Sequence, residues 1–340
     1  MKLAELGRRG VGLLLAGTLI ATLAGCQTSS GSEATGPGEK PTPVNLYYTA
    51  ALTQFSIPAI AEAFDLWPDD IDVTVDGGDS SVGMTLAASG RAQIYVNSAP
   101  IPEQLASGGA PLQWAATWAE NVDYVFIARN GVKSLEDMRG RTLGIVQPGL
   151  TLTVLADDAL RSGGLNTSDY TSRSLGTVPA LVGAYQSGAV DAMVIDRTTA
   201  EIISAQIPDQ VQLYDFYDND YPWNGAGVAV NTDWADDNHD AVVSVLVGLQ
   251  RAITLLREDP EKVKPVIAEF TGRTNPAELD IAVSNFLEHS LPTMKQTTRE
   301  QQLNTFRVIR QDGKDWATEE FATKVIGDPT YIEEALKRLK

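Results

Sequence analysis

The sequence predicts an α/β protein built as two similar lobes. Strand and helix patterns alternate in two successive blocks, the second block echoes the first, and roughly 300 residues follow the N-terminal segment. A chain of that length accommodates two domains of about 100–200 residues, each with its own core. In the first block Val44–Tyr48 alternates as a strand, and residues 54–64 repeat apolar side chains at helical spacing with Pro58 in the first turns. Ile71–Val75 is a second strand. After Gly77-Gly78, Asp79 or Ser80 caps a helix running to Ser89-Gly90, and Gln93–Val96 is the third strand. Strand, helix, strand, helix, strand implies a parallel sheet.

The pattern then restarts. Ser134-Leu135-Glu136-Asp137 is a capping-box sequence opening one short helix, and Thr142–Val146 is a strand followed by the turn Gln147-Pro148-Gly149. A helix over about residues 151–161 stops at Gly163-Gly164. Gly176-Thr177 precedes another helix ending at Ser187-Gly188, and Ala192–Ile195 is the next strand, closed by Asp196-Arg197. Ser89-Gly90 lies ten residues after Asp79, as Ser187-Gly188 lies ten after Thr177. Glycine at both helix ends suits the left-handed cap conformation. Two such lobes facing each other make a cleft, with ligands beyond the carboxyl ends of strands, where helix N-termini point free N–H groups.

Ahead of these blocks, Leu23-Ala24-Gly25-Cys26 closes an apolar run that starts at Val11 and follows Lys2, Arg8 and Arg9. The segment resembles a lipoprotein signal, which implies removal of residues 1–25 and a diacylated Cys26 tethering the chain to the cell membrane from outside the cytoplasm. Val11 to Ala24 is 14 residues, against roughly 20 for a membrane-crossing helix. No second stretch reads as long enough to span. Residues 26–43, mostly Ser, Gly, Thr, Pro and Glu, read as a flexible tether. Cys26 is the only cysteine, which excludes internal disulfides and thiolate metal clusters. The formal charge of −18 becomes about −20 once Lys2, Glu5, Arg8 and Arg9 are removed. With no Lys/Arg stripe, nucleic-acid binding is not expected.

Several runs carry a family resemblance: Ser89-Gly90-Arg91-Ala92-Gln93, Gly109-Ala110-Pro111-Leu112, the stretch Gly131–Gly144, and Gln186-Ser187-Gly188-Ala189-Val190-Asp191-Ala192. In order and spacing they resemble extracytoplasmic solute-binding proteins of ABC importers, in the group handling sulfonates, nitrate and thiamine-pyrimidine precursors. The likeness covers residues 44–257. It implies a type II periplasmic-binding-protein fold: two parallel or mixed sheets flanked by helices, joined by crossing strands, with a ligand cleft at the hinge. Lobe 1 would comprise residues 44–127 and 225–340, lobe 2 residues 128–224, with Val125–Ile127 and Val228–Val230 as the crossings. The implied partners are a small-molecule solute and the importer's transmembrane permease with its cytoplasmic ATPase. A monomer is the simplest expectation, and no cofactor or metal is called for. The C-terminal helical patterns, around residues 241–258, 276–288 and 299–310, read as packing without a ligand role.

Candidate ligand contacts then follow from strand ends and helix starts. From the first lobe these are Leu52, Thr53 and Gln54 beside Ala51, then Ser80, Ser81, Asn97 and Ser98. From the second come Gly149, Leu150, Thr151, Thr177, Asp196 and Arg197. Plainer readings stand beside them: Ser80 and Thr177 as helix caps, Asp196 and Arg197 as a mutual ion pair. Aromatic residues crowd expected rim positions, with Trp118 and Trp223 as possible stacking contacts, Tyr124, Tyr217 and Tyr221 nearby, and Trp114 as a core residue.

Catalytic arrangements are weak. His239 and His289 are the only histidines and are far apart in sequence. Gly78–Gly83 has one residue too many for a nucleophile elbow, and neither a Walker sequence nor a complete dinucleotide fingerprint is present. Asp157-Asp158 and Asp236-Asp237 read as solvated charges. Capture of a solute for import is therefore the leading expectation. The alternatives are a ligand-sensing extracellular lobe for a membrane receptor, or an enzyme like the pyrimidine synthases of the same fold, whose cysteine-rich motif and sacrificial histidine have no counterpart here.

Overall fold

A computed structural model of the chain describes residues 40–49, 52–219, 221–289, 294–311 and 313–340, without the side chains of residues 120 and 121. The signal segment, Cys26, Ala51 and the tether up to residue 39 lie outside the described residues. The strands are β1 (Thr42–Thr49), β2 (Ile71–Gly78), β3 (Ile94–Asn97), β4 (Leu112–Asn121), β5 (Tyr124–Ala128), β6 (Thr142–Ile145), β7 (Thr171–Ser174), β8 (Ala192–Asp196), β9 (Val211–Asp215) and β10 (Pro222–Asn231). Helices α1 (Ile57–Ala63), α2 (Ser80–Ala88) and α3 (Ile101–Ser107) accompany the first strands. Helices α4 (Thr151–Ser162), α5 (Val178–Gln186) and α6 (Arg197–Ser204) accompany the middle ones. After β10 come α7 (Thr232–Ala235), α8 (His239–Glu258), α9 (Pro260–Thr271), α10 (Pro276–Glu288), α11 (Arg299–Gln311), α12 (Glu319–Lys324) and α13 (Thr330–Arg338).

The strands form two five-stranded sheets, ordered β2-β1-β3-β10-β4 and β7-β6-β8-β5-β9. Each has a parallel trio joined to an antiparallel strand, β10 against β3 and β5 against β8. The echo in the sequence is thus an echo in topology. It extends to single bonds: Gln93 Oε1 accepts the N–H of Asn45 in β1 at 2.9 Å, as Asp191 Oδ2 accepts that of Thr142 in β6 at 2.9 Å. Only an acceptor is needed there, so Gln93 serves the first sheet as Asp191 serves the second. Gly90 (φ 70°) and Gly188 (φ 75°) take the left-handed caps their spacing predicted.

The sheet memberships correct the expected crossings. Val125–Ile127 belongs to β5, inside the second sheet, and Val228–Val230 belongs to β10, inside the first. The chain passes between sheets from Asn121 to Tyr124 and returns between Asp215 and Pro222. β1 also starts at Thr42, within the expected tether.

One further expectation needs revision. Helix α8 is long and apolar enough to cross a membrane by length and composition. Its apolar residues are buried, however, and it packs on α1, α9 and α13 as a core helix. Its Gly248 lets the ring of Trp67 approach to where a Cβ would lie 2.3 Å from a ring carbon. A continuous core joins both sheets, with Trp114, Trp118 and Trp223 among its largest fully buried side chains.

Candidate functional site

The carboxyl ends of the parallel strands of both sheets face one cleft, which has an inner and an outer chamber. The inner one, about 70 Å³, receives Thr49 from the end of β1, Asn97 and Ser98 from the end of β3, Tyr124 from β5, and Thr151 from the first turn of α4. Leu52, Phe55, Ile101, Val146, Leu150, Leu152 and Val178 complete its wall. Among the described residues, no Asp, Glu, Lys, Arg or His lines it. Tyr124 stays neutral, because burial pushes its hydroxyl pKa well above the usual range. The outer chamber, about 520 Å³, shares Leu52, Ser80, Val146, Leu150 and Val178 with the inner one and adds Asp79, Ser81, Gln147, Thr177, Thr199, Thr271 and Arg273 among others. A volume of 300–1,000 Å³ is usual for small-molecule sites.

Hydrogen bonds preorganise these walls. Thr49 Oγ1 and Ser80 Oγ lie 2.7 Å apart, and Asn97 donates from Nδ2 to Tyr95 Oη at 2.6 Å while its Oδ1 accepts the Ser98 N–H at 2.7 Å. Across the cleft, Ser98 Oγ is 2.9 Å from Thr151 Oγ1, which donates to the Ala99 carbonyl at 2.8 Å. Gln104 on α3 donates to the Gly149 carbonyl at 2.9 Å, a second link between the two sheets' surroundings. Asp79, Thr177 and Asp196 cap α2, α5 and α6 by accepting backbone N–H groups, whereas no side chain caps α4.

Of the residues nominated from sequence, Leu52, Ser80, Ser81, Asn97, Ser98, Leu150, Thr151 and Thr177 line the cleft. Thr177 also caps its helix, whereas α2 is capped by Asp79 and not by Ser80. Thr53 and Gln54 stand behind the wall. Gln54 Nε2 donates to Tyr124 Oη at 2.9 Å, and its carbonyl accepts from Trp118 Nε1 at 2.9 Å. Gly149 contributes a carbonyl bond outside the lining.

Several nominations are displaced by burial. Trp118 and Trp223 are not at the rim: both are fully buried, and Trp223 Nε1 donates to the Ala99 carbonyl at 3.1 Å, beneath the cleft floor. Arg197 does not pair with its neighbour Asp196. It donates from Nε to Asp123 at 2.7 Å and from Nη2 to both oxygens of Asp215 at 2.8 Å, a buried network beside the passage between sheets. Asp196 is buried as the α6 cap. Asp158 is also buried rather than solvated, accepting from Tyr221 Oη and lying 3.4 Å from Arg161. Tyr217 packs edge-on against His289. Of the aromatic residues considered, Tyr124 alone lines the inner chamber.

Sequence reasoning missed Arg273. It follows the left-handed Gly272 that ends α9, and its Nη2 donates to Thr199 Oγ1 on α6 at 3.1 Å. Helix α10 reaches the same element, Asn285 Nδ2 donating to Glu201 at 2.9 Å. The C-terminal helices therefore bridge to the second sheet's helices instead of only backing the first. No local pattern announced this, because an arginine after a helix-ending glycine is ordinary surface chemistry.

Residues 69–263 match the family model described as NMT1/THI5 like, and the chain belongs to that family. It is one of two-lobed α/β proteins with the periplasmic-binding-protein fold. The solved structures similar to it include the periplasmic aliphatic sulphonate binding protein SsuA from Escherichia coli, with 18% identity, 85% of this chain and 93% of that chain covered, and a TM-score of 0.70. Also similar are the alkanesulfonate-binding protein SsuA from Xanthomonas axonopodis pv. citri bound to MOPS (15%, 88% and 99%, 0.68) and the periplasmic nitrate-binding protein NrtA from Synechocystis PCC 6803 (13%, 88% and 90%, 0.68). At these identities the likeness is one of fold. No curated protein sequence matches the chain.

Proposed function

We propose that this chain is a lipid-anchored extracytoplasmic solute-binding protein that captures a small organic molecule and hands it to an ABC importer permease. The observation that carries this reading is the meeting of Ser98 and Thr151, from opposite sheets, over a preorganised cleft of small-molecule size. Binding energy gained only when both walls touch the solute would close the lobes by population shift. The eight nominated residues that line the cleft are the proposed contacts. Residues 1–25 act as the lipoprotein signal and Cys26 as the lipid-bearing terminus. Sulfonates, nitrate and pyrimidine-like compounds, suggested by the family and by the fold's relatives, are the first solutes to try.

The placement of the histidines supports binding over turnover. His239 lies 3.4 Å from Glu334 and His289 is 4.0 Å from Asp123, and neither lines a chamber of the cleft.

The test is thermal unfolding of the full chain against a solute panel, with native mass spectrometry for retained ligand. A ligand at 100 times its Kd adds about 2.7 kcal/mol. A selective rise in Tm supports capture, and Cys26→Ser should release the protein from the membrane fraction. No shift and no retained molecule would reject the reading.

A further inference from the structure

Arg273 stands out in the cleft. Among the described residues it is the only cation lining either chamber, and its side chain is 15% exposed. A guanidinium has five N–H donors. Here Nη2 reaches Thr199 Oγ1 at 3.1 Å and lies 3.9 Å from Asp196 Oδ1, whereas Nε is shut away from solvent with no hydrogen-bond partner. A buried charged donor without an acceptor is costly, and a planar fork of donors matches the paired oxygens of an acid. The other charged residue on the wall, Asp79, is exposed and already receives the N–H groups of Ser81 and Val82 at 2.8 and 3.1 Å. The apolar part of the outer chamber's wall is Leu52, Val146, Leu150, Val178, Pro179 and Val182, and the chamber shares residues with an inner one that has hydroxyls and an amide but no formal charge.

The geometry points to Arg273 as the specificity-determining residue for an organic acid, whose carboxylate, sulfonate or phosphate sits in the outer chamber while its uncharged end enters the inner one. This rests on the solute-binding reading and deepens it. An inorganic anion such as nitrate would leave most of a chamber of about 520 Å³ unfilled and its apolar wall uncovered. The charged end faces the bridge between α9 and α6, so the acid would also tie the C-terminal helices to the second sheet.

Calorimetric titration of the purified full chain with matched six-carbon compounds tests this: hexanoate, hexanesulfonate and hexyl phosphate against hexanamide, hexanol and hexylamine, with nitrate and sulfate alongside. Acids should bind at least about 30-fold more tightly than their uncharged or amine counterparts. Arg273→Gln should remove that advantage, bringing acid affinity down to that of hexanamide, and Arg273→Lys should restore part of it. Equal binding of neutral and acidic compounds, tighter binding of nitrate or sulfate, or full acid affinity in Arg273→Gln would overturn the role of Arg273 while leaving solute binding intact. Failure of every compound, together with no retained ligand by native mass spectrometry, would overturn both.

Discussion

The hydroxyl of Ser98 donates to that of Thr151 across the cleft. The two oxygens are 2.9 Å apart, and the single Thr151 proton is already directed at the Ala99 carbonyl, 2.8 Å away. Thr151→Val keeps the shape but leaves the Ser98 O–H without its acceptor, a cost of about 1–3 kcal/mol in a buried site. The lobes should open more readily, seen as a larger radius of gyration in small-angle scattering and a lower Tm. Unchanged values in both would show that this contact does not hold the cleft closed.

Trp223 is a structural residue by position. With its ring fully buried and its N–H on the Ala99 carbonyl, Trp223→Ala should cost about 3–5 kcal/mol in urea unfolding. A solute contact at a rim would instead lower affinity with stability preserved, and measuring both quantities on the one variant separates the two roles.

Arg197 bridges Asp123 and Asp215 in the buried network. Arg197→Ala strands two carboxylates and should destabilise the fold by about 3–5 kcal/mol. The deficit should shrink when Asp215→Asn is added, since one stranded charge is then gone, and strict additivity in the double variant would contradict the coupling.

Gly227 and Gly164 should respond differently to alanine. A Cβ on Gly227 would sit 2.5 Å from the Ala116 carbonyl oxygen and 3.0 Å from Thr117 Cα, against backbone that cannot swing aside. A cost of about 2–3 kcal/mol is expected there. Gly164 has open space around it but a φ of +78°, so its penalty is conformational, about 1 kcal/mol. Chemical denaturation of both variants gives the comparison, and a larger loss at Gly164 would refute the ranking.

Glu103 supplies the pH dependence. Burial pushes its carboxyl from 4.5 to about 7, against the opposing hydrogen bond from Trp114 Nε1 at 2.8 Å. The native state then holds a proton that the unfolded chain has released, so between pH 4.5 and about 7 stability falls as pH rises. The contribution is complete below pH 4.5 and lost above about 7, with an upper size of about 3 kcal/mol. Glu103→Gln should flatten this slope in urea titrations at pH 5 and 8, and an unaltered slope would place its origin elsewhere.

Legibility in the sequence followed the range of each signal. Asp79 capping α2, the left-handed glycines after α2 and α5, and the strands β2, β3, β6 and β8 are written within a few residues, and they agree with the structure. The short, exposed β7 carries no apolar alternation, as its residues are Thr, Ser, Arg and Ser, and was not foreseen. Whether an aromatic or charged side chain faces the cleft depends on partners far along the chain. Trp118 is placed by the Gln54 carbonyl, Arg197 by Asp123 and Asp215, and Arg273 by Thr199, so spacing alone could not sort lining residues from buried ones.

The interleaving of β10 between β3 and β4 also governs how the chain can assemble. Strand β4 ends at Asn121 and its sheet partner begins at Pro222, so everything between, including the whole second sheet, is synthesised before the first sheet can be completed. A nascent chain that has emerged only through β9 holds a sheet with β3 and β4 unjoined and their backbone donors unmet. Such late, long-range pairing delays commitment to the native state.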